Sequence, residues 1–278
     1  MHLSGLFVHP VKSLRGCAVA ALAVDALGGA GDRRFLVVDA AGRFLTQRTL
    51  PRMALIATAL DADTLRLSAA GAGTIAVPRA PDPRAPLRTV SIWKSEGLQS
   101  EDCGENAAAW LSDFLGHACR LVRLGPACHR PIRQPAGVQR SPAGAPPLVT
   151  FADAYPFLLT SEASRADLND RLVARGEEPV PWDRFRPNLV VTGCAPFAED
   201  TWPRVRIGAV TFRAAGPCAR CVVTTTDQQT AARGPEPLRT LAGYRRDPTD
   251  PTLVNFGQNL IHETTTGTLR LGDPVVAL

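Results

Sequence analysis

Lysine is nearly missing from this chain. Of 31 basic residues in 278, only Lys12 and Lys94 are lysines. Runs of Lys and Arg are missing too, and the basic residues are not interleaved with aromatics, so nucleic-acid binding is not expected despite a formal net charge of +5. No apolar stretch is long enough to span a membrane, because Gly, Pro or charge interrupts each one, and no membrane association is expected. The first thirteen residues carry no basic leader and their apolar run stops at Pro10, so no secretory signal is expected. Seven cysteines is an odd number and does not suggest a disulfide framework; a reducing compartment, the cytoplasm, is the expectation. There is no internal repeat and no second C-x-x-C.

What is present supports a sizeable core. At 45% hydrophobic residues, the length suits one large domain or, more naturally, two that share an interface. The surplus of arginine reads either as a compositional bias or as a set of guanidinium forks converging on an anionic small molecule, whose phosphate geometry they match. Lys12 is informative in either case, since background composition would have supplied arginine.

The one C-x-x-C is Cys218-Ala219-Arg220-Cys221, followed by Val222, Val223 and Thr224 to Thr226. The β-branched run predicts a strand, with Cys221 at its entrance and Cys221 and Val223 on one face. A thioredoxin-type pair would open a helix instead. Thiolate is a soft ligand for thiophilic metals, but a zinc site needs further Cys or His at suitable spacing. Two readings stand at this level: a buried structural thiol pair, or a functional ligand.

The first third reads as short strands with close-spaced turns, which predicts a barrel or sandwich. Strands are expected at 3–8, 32–39, 55–60, 64–68, 74–78 and 87–93, with 44–48 as hairpin partner of 32–39. One helix is predicted after a capping box at Asp102 to Glu105, with Ala107, Trp110, Leu111 and Phe114 as its buried stripe and Gly116 as its stop. Residues 126–147 hold six prolines without a period and read as a connection. His129, Arg130, Arg133 and Arg140 there line a substrate entrance or form a solvated loop. The second half reads as a strand at 158–159, a helix capped by Thr160 or Ser161, a buried strand at 189–191, a hairpin turning at Gly208, and closing strands at 256–261 and 267–276.

Candidate polar sites lie at the mouths of these elements. Lys12-Ser13-Leu14-Arg15-Gly16 reads as a cradle for a phosphate or similar oxyanion, or as a solvated turn. Asp153 stands in a loop before a strand, where a turn aspartate and a proton-handling carboxylate are both at home. Arg186 and Asn188 flank Pro187 before a buried strand, where they can bind a heterocycle edge or complete a turn.

Taken in order, Pro10-Val11-Lys12-Ser13, Asp32-Arg33, Phe185-Arg186-Pro187-Asn188, Cys218-Ala219-Arg220-Cys221, Phe256-Gly257-Gln258-Asn259 and Gly272-Asp273-Pro274-Val275 resemble the MOSC-domain proteins that carry an N-terminal MOSC β-barrel domain. Bacterial YcbX-like proteins and the mitochondrial amidoxime-reducing component belong to that group. The resemblance runs from Leu3 to Leu278. It implies a mainly β, α+β fold: a β-rich N-terminal domain (1–125) packed on a MOSC β-barrel domain (148–278) with a few helices, joined by the proline-rich connection.

The resemblance also implies a molybdenum cofactor, Mo-molybdopterin, with Cys221 as the protein ligand to the metal and Cys218 as a neighbour. By position, Lys12, Ser13 and Arg33 hold the phosphate end, and Arg186 and Asn188 the pterin. Asp153 stands near the metal as a catalytic carboxylate, and Tyr155 contacts the cofactor. The implied activity is reduction of N-hydroxylated compounds such as amidoximes and N-hydroxy bases. No plant-type [2Fe-2S] cysteine run is recognised, so a separate electron-donor protein of ferredoxin, flavodoxin or cytochrome type is expected. The membrane anchor and targeting segment of the mitochondrial relatives are not recognised either. The alternative is a cofactor-binding or sulfur-carrier module with a persulfide on Cys221, although no pyridoxal-phosphate desulfurase portion is recognised.

Overall fold

The structure, a computed structural model, describes residues 1–132 and 147–278. Most of the expected proline-rich connection, with Arg133 and Arg140, lies outside the described residues.

In chain order the strands open with β1 (His2–Val8), β2 (Cys17–Ala18), β3 (Ala21–Asp25), β4 (Gly28–Gly29) and β5 (Phe35–Val38). A meander of β6 (Ala57–Leu60), β7 (Thr64–Ala69) and β8 (Gly73–Pro78) follows, then the hairpin β9 (Leu87–Ile92) and β10 (Ser95–Asp102), helix α1 (Glu105–Leu115) and β11 (Arg120–Arg123). The second half comprises β12 (Phe157–Ser161), α2 (Glu162–Val173), β13 (Leu189–Thr192), β14 (Arg204–Ile207), β15 (Val210–Ala219), α3 (Leu238–Ala242), β16 (Asn255–His262), β17 (Thr268–Arg270) and β18 (Val275–Ala277). The chain is therefore predominantly β with a few helices, as the sequence predicts.

Strand pairing interleaves the two halves. The largest sheet runs β18-β14-β15-β16-β12-β13-β1-β2, so the first strand of the chain pairs with β13 from the second half. Likewise β3 pairs with β17. β12 and β13 sit inside this sheet and bury nearly every residue, which is why Phe157 to Ser161 and Leu189 to Val191 are not strictly alternating in polarity. Leu3, Leu6, Phe157, Leu159, Leu189 and Phe212 form the core beneath them. A second core, with Phe35, Met53, Leu65, Leu111 and Phe114, lies between β5, the meander and α1. No helix of the described residues is long and apolar enough to cross a membrane.

Local details depart from the expectations: β10 is not among the expected strands, the strand expected at 267–276 is split into β17 and β18 in different sheets, and three further places differ. The partner of β5 is β11; residues 44–48 contribute only the single bridge Val38–Phe44. The capping box does not form at α1. Asp102 and Glu105 are both engaged by Arg120, and Gly104 caps the helix without a side-chain bond. Gly116 ends α1 in the left-handed conformation, as expected. The last departure is the segment after Cys221. Val222–Thr225 is a 3-10 turn, and the strand, β15, runs through Cys218 and ends at Ala219, before Cys221. The Thr224 hydroxyl donates to the Cys221 carbonyl at 2.9 Å and the Thr225 hydroxyl to the Val222 carbonyl at 2.9 Å, so these threonines satisfy turn carbonyls and do not join a ladder. α2 starts as expected: the Ser161 hydroxyl accepts from the Ser164 N–H at 3.1 Å.

Candidate cofactor site

Five loops converge on one cavity of about 450 Å³. Lys12 and Ser13 come from the turn after β1, Arg33 from the turn before β5, Asp153 and Tyr155 from the approach to β12, Arg186 and Asn188 from the approach to β13, and Cys221 from the exit of β15. All eight candidate residues line this cavity, and so does Cys218.

Backbone pairing fixes the turns. The Lys12 N–H donates to the Phe35 carbonyl at 3.0 Å, and the Arg33 N–H donates to the His9 carbonyl at 2.8 Å. The Arg33 carbonyl in turn accepts from the Phe151 N–H at 3.0 Å. Ser13, Arg33 and Arg186 all have positive φ, at 66°, 46° and 57°. A non-glycine residue in that region costs on the order of 1 kcal/mol and persists where surrounding contacts hold it, often at binding sites. β15 shifts register twice against β16, between Ala214 and Gly216 and again at Cys218, between Pro217 and Ala219. Such bulges bend a strand and re-aim its side chains. Here they bring Cys218 and Cys221 to the cavity wall, with Cys221 at the cap of the 3-10 turn.

Polar contacts divide the candidates into residues held in place and residues that do the holding. The Asn188 amide oxygen accepts from Arg33 Nη1 at 2.9 Å and from the Leu158 N–H at 3.2 Å, while its nitrogen donates to the Phe7 carbonyl at 3.2 Å. Asn188 thus acts mainly by positioning Arg33. Arg33 also donates to Asp32 and, at 3.2 Å, to the Arg186 carbonyl. Arg186 donates to the Leu14 carbonyl at 2.6 Å. Arg220 donates to Cys218 Sγ at 3.0 Å and to the Phe185 carbonyl at 2.6 Å. Arg130 is buried behind the wall. It donates to the carbonyls of Thr150 at 2.7 Å and Asp153 at 2.9 Å, so it fastens the Asp153 loop and does not line the cavity.

The electrostatics favour an anion. Lys12, Arg33, Arg48, Arg186 and Arg220 line the cavity against a single lining carboxylate, Asp153. Burial pushes Arg186 down to about 9, and the adjacent Arg33 charge adds to the effect. Burial also lowers Lys12, against the pull of Asp153. Asp153 is 66% exposed at the side chain but surrounded by cavity walls. Desolvation opposes its charge, yet Lys12 and the Trp93 indole N–H overcome it and hold the carboxyl well below the usual range. Burial raises the Tyr155 phenol. His9, behind the wall, is pushed well below its ordinary value by burial and then by Arg186 and Arg33. Its Nε2 lies 3.0 Å from the Pro187 carbonyl, which can only accept, so the neutral ring carries its proton on Nε2.

Residues 1–118 match the family model of the MOSC N-terminal beta barrel domain, and residues 146–276 that of the MOSC domain. The chain is 40% identical over 285 residues to mitochondrial amidoxime-reducing component 1 of Mus musculus, spanning 98% of this chain and 81% of that protein. It is 38% identical over 289 residues to the Homo sapiens protein of the same name, spanning 98% and 82%. The chain belongs to the MOSC-domain family. The molybdenum cofactor sulfurase of Danio rerio is 35% identical over 94% of this chain but only 32% of its own length.

Within this MOSC-domain protein, Trp93, Arg48 and Arg220 line the cavity although the sequence alone did not single them out. Trp93 gave no local signal: it opens a two-residue hairpin turn between Ile92 and Ser95 with no Gly, Asn or Asp. Among the described residues, no group of three or more His, Cys, Asp or Glu side chains is placed to hold a metal ion. A metal in this cavity would therefore need ligands beyond the protein's own. The cationic wall suits an anionic ligand, and a thiol beside it suits a thiophilic metal.

Proposed function

We propose that this protein is a molybdenum-cofactor oxidoreductase that reduces N-hydroxylated compounds, amidoximes and N-hydroxy bases among them. The observation that carries the reading is the convergence of the Cys221 thiol and five cationic side chains on one cavity, in a chain 40% identical to an amidoxime-reducing component along 98% of its length. Mo-molybdopterin, when bound, supplies the two-electron redox chemistry and its own sulfur ligands.

The chain's residues supply the rest. Cys221 offers the protein thiolate. Lys12, Ser13 and Arg33 grip the phosphate end, with Asn188 and Asp32 fixing the Arg33 fork. Arg186 faces the pterin, and Tyr155 bounds it. Reduction of an amidoxime to an amidine consumes two electrons and two protons and releases water. Asp153, ionised at neutral pH, orders water at the reacting end and accepts its hydrogen bonds, while Lys12 carries the proton of the pair. Electrons come from a separate donor protein of ferredoxin, flavodoxin or cytochrome type. A reducing compartment, the cytoplasm, suits seven cysteines that are all free.

The test is to produce the protein in cells that make the cofactor and assay benzamidoxime with a reduced viologen. Turnover that disappears in Cys221→Ser supports the proposal. Full molybdenum loading without turnover of any N-hydroxy substrate would reject it. The match to the cofactor sulfurase favours one second reading, a Cys221 persulfide carrier. A persulfide on Cys221 in metal-free protein, detected by mass spectrometry, would support that reading.

A further inference from the structure

Trp93 stands in a conformation that its turn does not ordinarily give to tryptophan. Ile92 pairs with Ser95, so Trp93 and Lys94 are the two central residues of the β9–β10 turn. Trp93 has φ 52° and Lys94 is not among the positive-φ residues. Positive φ at the first central position alone is the mark of a type II′ turn, where glycine is the usual occupant. A bulky residue there is an outlier.

Three contacts hold it. Its indole N–H donates to Asp153 Oδ1 at 2.9 Å. The Phe44 ring meets the indole edge-to-face, with centroids 4.6 Å apart and planes at 67°. The Arg48 guanidinium sits 4.4 Å from the indole centroid. Even so, Trp93 is 42% exposed. An aromatic residue pinned on three sides and still open is arranged to present a surface. Of the four aromatic residues on the cavity wall, Phe157 and Phe185 are buried at 2% and 0%, which leaves Trp93 and Tyr155 as the accessible rings.

We propose that Trp93 is a specificity-determining residue that stacks planar, conjugated substrates, and that this site selects aryl or heteroaryl N-hydroxy compounds over alkyl ones. The proposal deepens the reading of the previous subsection and rests on it for the substrate class. The Arg48 contact fixes the indole plane and draws electron density toward the cation, and stacking on a rigid ring is tolerant of ring identity. The hydrogen bond to Asp153 ties the stacking surface to the carboxylate at the reacting end.

The experiment uses molybdenum-loaded protein and the ratio of kcat/KM for benzamidoxime to that for acetamidoxime. Trp93→Gly suits the positive φ and is expected to fold. It should lower the aryl-to-alkyl ratio roughly ten-fold, the effect of one stacked ring. Trp93→Phe keeps a ring without the N–H and should retain most of the ratio. Loss of the bond to Asp153 acts on both substrates and cancels in the ratio. In parallel, calorimetric titration of both amidoximes gives a ratio of Kd values independent of turnover. A wild-type preference for the aryl compound that collapses in Trp93→Gly supports the proposal even if turnover is missing. Ratios unchanged within about two-fold in both measurements would overturn it, since a stacked ring is worth more than that. Failure of turnover in fully loaded wild-type protein rejects the N-hydroxy reductase reading instead.

Discussion

Lys12 donates a hydrogen bond to Asp153 across 141 residues of sequence. The contact ties the turn after β1 to the approach of β12. It pairs an ammonium only 7% exposed with a carboxylate open to the cavity.

This pair predicts a specific coupling. Asp153→Asn leaves Lys12 charged and poorly compensated, and should cost about 1–3 kcal/mol, discounted from a fully buried pair because the carboxylate is solvent-accessible. Lys12→Met removes the buried charge. The double variant should be less destabilised than the sum of the two single variants. Urea unfolding of all four proteins measures this.

Acid sensitivity is predicted at a second carboxylate, which does not line the cavity. Asp102 is 3% exposed at the side chain and bound by Arg120 and Arg88. Burial opposes its charge, but these arginines hold the carboxyl down to about 2. A carboxylate with a folded value below its unfolded one stabilises fully above the unfolded value, and this contribution is lost as pH falls toward the folded value. The contribution is about 2 kcal/mol, lost between about pH 4 and pH 2. Asp102→Asn should therefore destabilise by about that amount at neutral pH, with the gap to wild type closing as pH falls through this window. Denaturant midpoints at neutral and acid pH measure the difference.

Asn188 is predicted to act through Arg33. Its amide oxygen accepts from both Arg33 and the Leu158 N–H. Asn188→Ala should lower molybdenum occupancy, since losses of supporting hydrogen bonds around metal sites weaken affinity about 10-fold or more. Metal analysis of the purified variant checks this. Unchanged occupancy would mean Arg33 needs no such support.

Gly16 is predicted to be irreplaceable. A Cβ there would lie 2.2 Å from His9 Nδ1 and 3.0 Å from the Val8 carbonyl oxygen. His9 cannot yield without giving up the Pro187 carbonyl beside Arg186. Gly16→Ala should cost at least about 2 kcal/mol, near the upper range of overpacking effects. Thermal unfolding beside wild type gives the answer.

The strands, the helix stops at Gly116 and the cap at Ser161 were legible because they rest on local signals. The resemblance also pointed to residues that meet at the cavity, Lys12, Ser13, Arg33, Arg186, Asn188 and Cys221 among them, whereas residues 256–259 lie inside β16 and contribute only Asn259, and residues 272–275 contribute none. Long-range pairing was not legible: nothing in His2 to Val8 says that it joins β13. The turn after Cys221 was misread as strand because β-branched propensity was weighed without the option of threonine hydroxyls bonding back to carbonyls three residues earlier. Asn188 was read as an amide for a heterocycle edge or as a turn residue; it lines the cavity, and its bonds to Arg33, the Leu158 N–H and the Phe7 carbonyl are long-range contacts that only coordinates reveal. Trp93 was not legible either: residues 87–93 read as a strand, and the turn at Trp93-Lys94, without Gly, Asn or Asp, is set by the pairing of Ile92 with Ser95.

The most direct measurement is molybdenum X-ray absorption on protein purified from cofactor-producing cells, beside Cys221→Ser and Cys218→Ser. The account predicts near-stoichiometric molybdenum in the wild type, with a protein sulfur in its coordination shell that Cys221→Ser loses and Cys218→Ser keeps. A wild-type protein without molybdenum, from cells that load another molybdenum enzyme, would contradict it. So would a metal whose sulfur shell is the same in all three proteins.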